Sequence, residues 1–389
     1  MPYGYLFSVA LIACGTAAAL YPLRRPERLA GLTFRAGIVP NEVPFMALFL
    51  LLGSTLIAAA QQDLGSLGAK ITAGVAVAAA VGLVVVIRRQ LTAGPSIENA
   101  FRDALGGGWR ESLAPDLADG LRRRLPYGRI LVGLFIWRRD VKRIANLSYG
   151  DAGKRNRLDV YRHRSAPKGG PVLVYFHGGG YYSGRKNREA RPLLNRLAGQ
   201  GWVCISANYR LRPKADFLDH LTDAKKVIAW AREHGHEYGA DTDTLFMSGS
   251  SAGAHMTALC ALTQNDPAYQ AGFETADTSI TGAICLYGYY GDYYGHPEGT
   301  STPMAYVRED APPFLVVHGD ADSLVPVQAA RDFVGTLRGA SANPVIYAEL
   351  PGAQHSFDLF HSLRFDRVVD AAEAFAAWVR SRQDTDDRA

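Results

Sequence analysis

Cysteine is scarce in this chain. Four stand among 389 residues, Cys14, Cys204, Cys260 and Cys285, with no C-x-x-C pair and no spacing suited to a metal. A disulfide-stapled fold is therefore not expected, and neither is a metal centre. Cys204 and Cys285 lie in apolar strand-like runs, where a free thiol behaves as a small buried hydrophobe. A strong charge of one sign is lacking too. The formal net charge is +5, and no basic run carries the interleaved aromatics of a nucleic-acid surface. Internal repeats and low-complexity tracts are also missing.

Charge itself is missing from three stretches near the start: Tyr3 to Leu23, Val43 to Ala60 and Ile71 to Ile87. Each is about long enough to cross a hydrocarbon core of ~30 Å at ~1.5 Å per residue. Small residues such as Ala73, Gly74, Ala76 and Gly82 allow close helix packing in the last of them. The first could be a signal peptide, but it has no charged leader and further apolar spans follow. The expectation is a multi-pass membrane region over 1–89, in contact with membrane lipid. Arg24, Arg25, Arg28 and Arg35 follow the first span, Lys70 alone precedes the third, and Arg88 and Arg89 close it. Positive charge favours the inner face, which places the catalytic domain on the cytoplasmic side.

Residues 90–145 are expected as a linker, a cap or an interfacial segment. Ser96 to Asn99 could start a helix, and Gly106-Gly107-Gly108 breaks it. Arg122, Arg123 and Arg124, then the apolar Ile130 to Trp137, read either as a helix packed over the core or as a segment lying on anionic lipid. From 146 to 382, strand-like and helix-like runs alternate as in an α/β fold, and 383–389 form a polar tail. The strands expected are Leu158–Arg162, Val172–Phe176, Val203–Asn208, Leu245–Met247, Gly282–Tyr287, Phe314–Val317 and Val345–Glu349. Their continuous apolar character implies a mostly parallel sheet covered on both faces, with ligands bound beyond the strands' C-terminal ends.

Two Gly-rich turns follow such strands. His177-Gly178-Gly179-Gly180 brings backbone N–H groups close to a substrate oxygen, where they stabilise developing negative charge. Gly249-Ser250-Ser251-Ala252-Gly253 is a G-x-S-x-G elbow, whose glycines permit a sharp strand-to-helix turn that exposes the Ser251 hydroxyl. A hydroxyl is a weak nucleophile, so a histidine must take its proton and a carboxylate must hold that histidine. In the chain order Ser, acid, His, Asp322 and His355 fall in the turns after the last two strands. Asp320 competes as the acid. His255, His318 and His361 compete as the base, with His255 read as structural and His361 as lying in a surface loop.

These motifs, with Asn208 to Pro213 and His318 to Pro326, resemble the hormone-sensitive-lipase-like esterases of the α/β-hydrolase fold over roughly Leu147 to Trp378. The resemblance implies Ser251 as nucleophile, Asp322 as acid and His355 as base. It implies an oxyanion hole from the amides of Gly178, Gly179 and Ala252, with His177 bracing the loop, and no metal or organic cofactor. Lys214 stands where many members have an acid, and the cap segment from Tyr289 to Pro313 is short. The chain also resembles kynurenine formamidases and prenylcysteine methylesterases around Ser251 to His255. The function expected is a membrane-bound serine carboxylesterase or lipase acting on a small-molecule or lipid-like ester. The alternatives are an acyltransferase, a hydrolase of a specialised ester or amide, and a non-catalytic binding protein.

Overall fold

The computed structural model describes residues 3–121, 125–134 and 136–386. Arg122, Arg123, Arg124, Phe135 and the last three residues of the expected tail lie outside the described residues. Eight strands form one sheet: β1 (Val141–Ser148), β2 (Arg157–His163), β3 (Gly170–Phe176), β4 (Val203–Ala207), β5 (Ala240–Ser250), β6 (Gly282–Leu286), β7 (Phe314–Gly319) and β8 (Val345–Leu350). Their order is β1-β2-β4-β3-β5-β6-β7-β8. The pairs β1–β2 and β2–β4 are antiparallel, and every later neighbour is parallel. This mixed sheet fits the α/β-hydrolase fold.

Strands β4, β6 and β7 are buried at every position, which explains their unbroken apolar runs. Side chains still alternate between two layers. Val172, Val174 and Phe176 of β3 face a core shared with the helices Phe217–His234, Ala252–Leu262 and Val327–Ala340. Leu173 and Tyr175 face the opposite core, shared with Arg191–Ala198 and Leu363–Asp386. Strand β1 spans the expected boundary at 145/146, so the sheet begins earlier than the sequence suggests.

Five helices come first: α1 (Tyr3–Leu20), α2 (Glu27–Glu42), α3 (Pro44–Ala60), α4 (Leu67–Leu91) and α5 (Ala93–Leu105). Among the described residues, α1 and the continuous α4–α5 stretch are long and apolar enough to cross a membrane; α3 joins them only if counted with α2, from which it bends by 86°. Pro44 explains the bend, because it lacks an N–H and pushes Val43 out of helical geometry. Helix α2 was not expected. Nor is 90–145 simply a linker: Ile97 and Phe101 of α5 sit in the second core. Ile130–Trp137 is no continuous helix, since the helix there ends at Val132.

Helices α1 and α4 run in one direction and α3 runs in the other. At one end the Tyr5 hydroxyl lies 3.3 Å from Thr55 Oγ1. At the other, Arg89 donates to the Leu20 carbonyl at 3.2 Å and Gln90 donates to the Asn41 carbonyl at 2.5 Å. The end of α1, the start of α3 and the end of α4 therefore meet at one level. There Glu42 accepts hydrogen bonds from Arg364 at 2.5 Å and Ser362 at 3.1 Å, which joins the bundle to the sheet domain.

Candidate active site

Strand β5 ends at Ser250 and a helix starts at Ala252, leaving Ser251 between them with φ 54° and ψ −117°. A positive φ is strained for a residue with a Cβ, and such strain is held only by rigid surroundings. The flanking glycines supply that rigidity by close packing. A Cβ on Gly249 would stand 2.2 Å from the carbonyl carbon of Gly253, and one on Gly253 would stand 2.1 Å from the Phe176 oxygen. The turn therefore admits neither side chain.

His355 reaches this serine from the turn after β8. Its Nε2 lies 3.0 Å from Ser251 Oγ and its Nδ1 lies 2.7 Å from Asp322 Oδ2. Asp322, after β7, is pinned by the amides of Leu324 and Val325, which donate to Oδ1 at 2.9 and 2.8 Å. Burial opposes its charge, yet the facing His355 and His318 outweigh burial and hold its carboxyl well below the usual range. Burial likewise works against a charged His355. Asp322 overrides it, with help from Glu189 and Asp358, and raises the imidazole above its ordinary value.

The competing residues are otherwise engaged. Asp320 Oδ1 accepts the Gly352 amide at 2.6 Å and closes the turn. His255 bonds the Tyr181 hydroxyl at 2.6 Å, and burial pushes its pKa down to about 4. His318 Nε2 donates to the Val325 carbonyl at 3.0 Å. His361 is not in a surface loop: it is buried, with Nδ1 3.0 Å from Asp366. His177 stacks on Tyr209 with ring centroids 4.5 Å apart, and its Nδ1 lies 2.7 Å from the Gly178 carbonyl. Burial pushes its pKa down to about 4, so it stands neutral beneath the glycine loop.

The glycine loop departs from expectation at Gly178, whose amide is already engaged, donating to Glu189 Oε2 at 2.5 Å. Among the described residues, the amides of Gly179, Gly180 and Ala252 have no acceptor. Ala252, first in its helix, has none within the helix by construction. Glu189 belongs to a buried group that sequence reading missed. Asp358 accepts Ser250 Oγ at 2.6 Å and the Tyr287 hydroxyl at 2.5 Å. Tyr287 in turn sets its ring edge-on to His355 at 4.6 Å. Burial, with Asp358 adding to it, pushes Glu189 up to about 7, and burial raises Asp358 as well. No group of acids, histidines or cysteines among the described residues could hold a metal.

The BD-FAE family profile matches residues 158–289 and 298–337. The Mycobacterium tuberculosis protein named probable carboxylic ester hydrolase LipM is 35% identical, over 98% of this chain and 94% of its own. Esterase LipQ of the same organism is 37% identical over 63% of this chain and 65% of its own. Among solved structures, Thermogutta terrifontis esterase 2 phosphonylated by sarin superposes with a TM-score of 0.52 and 25% identity. That match covers 58% of this chain and 91% of the esterase.

Proposed function

We infer, from the premise that the chain belongs to the α/β-hydrolase esterase family of LipM, that it hydrolyses carboxylic esters through an acyl-enzyme on Ser251 while held in a membrane by its N-terminal helices. One observation carries the catalytic part: the hydrogen-bonded line from Ser251 through His355 to Asp322, at 3.0 and 2.7 Å. His355 Nε2 takes the Ser251 proton as Oγ attacks the ester carbonyl, and Asp322 holds the imidazolium that forms. The amides of Gly179, Gly180 and Ala252 receive the charge on the tetrahedral oxygen. His355 returns the proton to the leaving alcohol, then activates water against the acyl-enzyme. A nucleophile of this kind reacts with organophosphorus esters, as the Thermogutta relative does with sarin.

The membrane part is supported by the alternating direction of α1, α3 and α4 along the chain, and by their outward faces, which expose Phe7, Phe49, Leu52, Ile71 and Val77. Helix α3 has 17 residues, so it spans ~26 Å, and slight bilayer thinning accommodates it. Arg24, Arg25, Arg28, Arg35, Arg88 and Arg89 gather at the end nearest the hydrolase, against Lys70 at the other. That bias puts the catalytic domain on the cytoplasmic face.

The test is a series of p-nitrophenyl esters with detergent-solubilised wild type and Ser251→Ala. The variant is expected to lose on the order of 10⁴ to 10⁶ in kcat and to escape labelling by a fluorophosphonate. Labelling that persists on another serine removes Ser251 from the role.

A further inference from the structure

Helix α2 lies over the catalytic turn. Just before it, Arg24 donates to the Asp320 carbonyl at 2.5 Å. One turn in, the Ala30 carbonyl accepts Ser323 Oγ at 3.4 Å. The next residue on that stripe, Phe34, sets its ring edge-on to His355 with centroids 6.2 Å apart. Gly37 continues the stripe and lies so close to α1 that a Cβ would stand 2.9 Å from the Ala19 nitrogen. The spacing 30, 34, 37 keeps one helical face turned inward. Phe34 and Tyr287 thus both set a ring edge-on to the His355 imidazole, and Ser251 is left only 9% exposed.

The outer face of α2 has a different composition. Leu29, Leu32 and Val39 are exposed there, Leu32 to 61%, beside the exposed Arg28 and Arg35. An apolar surface bordered by arginines at the end of an apolar bundle suits the boundary between acyl chains and anionic headgroups. The far side of the glycine loop is unlike it. Arg212 sits 5.0 Å from the rings of both Tyr182 and Tyr294, and the Tyr294 hydroxyl lies 3.4 Å from where a Cβ on Gly180 would stand. The cleft beside it is lined by Tyr182, Leu211, Arg212 and Lys214, with Arg210 paired to Asp219 and Asp223. One side of the serine is apolar and continuous with the bundle. The other sets the Arg212 guanidinium among the Tyr182 and Tyr294 rings.

We propose that α2 is the chain-binding wall of this esterase, and that its substrates are bilayer-resident esters whose long apolar chain passes beneath Phe34 to bring the carbonyl to Ser251. This rests on the reading of Ser251 as nucleophile and of the N-terminal helices as membrane-embedded. The polar part of the ester then faces the Tyr182–Tyr294 side. Phe34 sets chain-length preference because the chain cannot pass without touching its ring. The junction with Asp320 and Ser323 keeps the wall in register with the turn that carries Asp322.

The experiment uses the full chain in vesicles of phosphatidylcholine and phosphatidylglycerol, with a dodecyl fluorophosphonate bearing a diazirine at the chain end. After illumination, the expected product is Ser251 phosphonylated and cross-linked to the segment 27–42. A cross-link confined to 289–294, or to lipid alone with Ser251 labelled, overturns the wall but leaves the nucleophile intact. Absence of label on Ser251 overturns the underlying reading, and the proposal with it. In a parallel arm, Phe34→Ala and Phe34→Trp should move the ratio of kcat/KM for long over acetyl esters in opposite directions, each by about tenfold. A ratio unchanged in both variants also overturns it.

Discussion

Asp320 and Asp322 stand two residues apart on one turn, yet their carboxylates face different partners. Asp322 meets His355 and Asp320 meets the Gly352 amide. Asp322→Asn is expected to lower kcat by about 10⁴, because the amide stabilises the wrong imidazole tautomer. Asp320→Asn should lose far less, and ester assays on both variants compare them directly. The reverse ranking transfers the acid role. Glu189 gives a pH prediction. Asp322, Glu189 and Asp358 all favour protonated His355, whereas only neutral His355 can accept the serine proton. Activity should therefore rise with pH along a limb set by His355, displaced above the ordinary imidazole range. Glu189→Gln keeps an oxygen for the Gly178 amide but removes a charge, so that limb should move to lower pH. A kcat/KM profile that stays put or moves upward refutes the assignment. Sequence motifs pointed to Ser251, Asp322 and His355 because each follows a recognisable strand. Glu189 and Asp358 follow no motif; only the fold buries them together.

At the scale of elements, the elbow and an exposed helix make opposite predictions for the same change. Gly253→Ala drives a Cβ against the Phe176 and His177 carbonyl oxygens, which are backbone and cannot move aside. The cost should exceed about 3 kcal/mol, above the usual range for overpacking. Gly335→Ala, on the exposed face of Val327–Ala340, meets nothing within 4 Å and should stabilise by about 0.5 to 1 kcal/mol. Thermal melts of both variants in one detergent measure the contrast. Most strands were legible because parallel strands buried on two faces write continuous apolar runs. Strand β1 was not, since it is an edge strand whose Lys142, Arg143, Ala145 and Asn146 face solvent. Strand β5 was read too short, because Ala240 and Asp241 pair with β3 without being buried and Asp241 to Thr244 are polar. Helix α2 escaped notice because its arginines and Pro40 gave it the composition of a loop between spans.

The whole molecule depends on its junction. Glu42 and Arg364 are both fully buried, from opposite sides of the boundary between bundle and hydrolase. Full-length protein should stay in the membrane fraction through carbonate washing, since spanning helices do not depend on surface charge. A chain beginning at Gln90 should leave the membrane but melt earlier, because it loses the bonds that Glu42 makes with Arg364 and Ser362. Within the full chain, Glu42→Ala breaks the buried pair from one side and should cost about 3 to 5 kcal/mol. Equal melting of the full and shortened chains would show that the bundle contributes no stability to the hydrolase. Nothing in the sequence announced this coupling, since Glu42 and Arg364 are 322 positions apart and neither lies in a motif.

The same junction has a kinetic consequence. If the N-terminal helices are embedded as proposed, the bonds at Leu20, Asn41 and Gln90 keep Ser251 at a constant height above the lipid surface. An enzyme held in this way samples a plane. Its saturation is governed by the mole fraction of ester among neighbouring lipids, and the amount per volume of buffer drops out. Diluting the ester with inert phospholipid at constant bulk amount then slows turnover, while doubling the water around the same vesicles changes nothing.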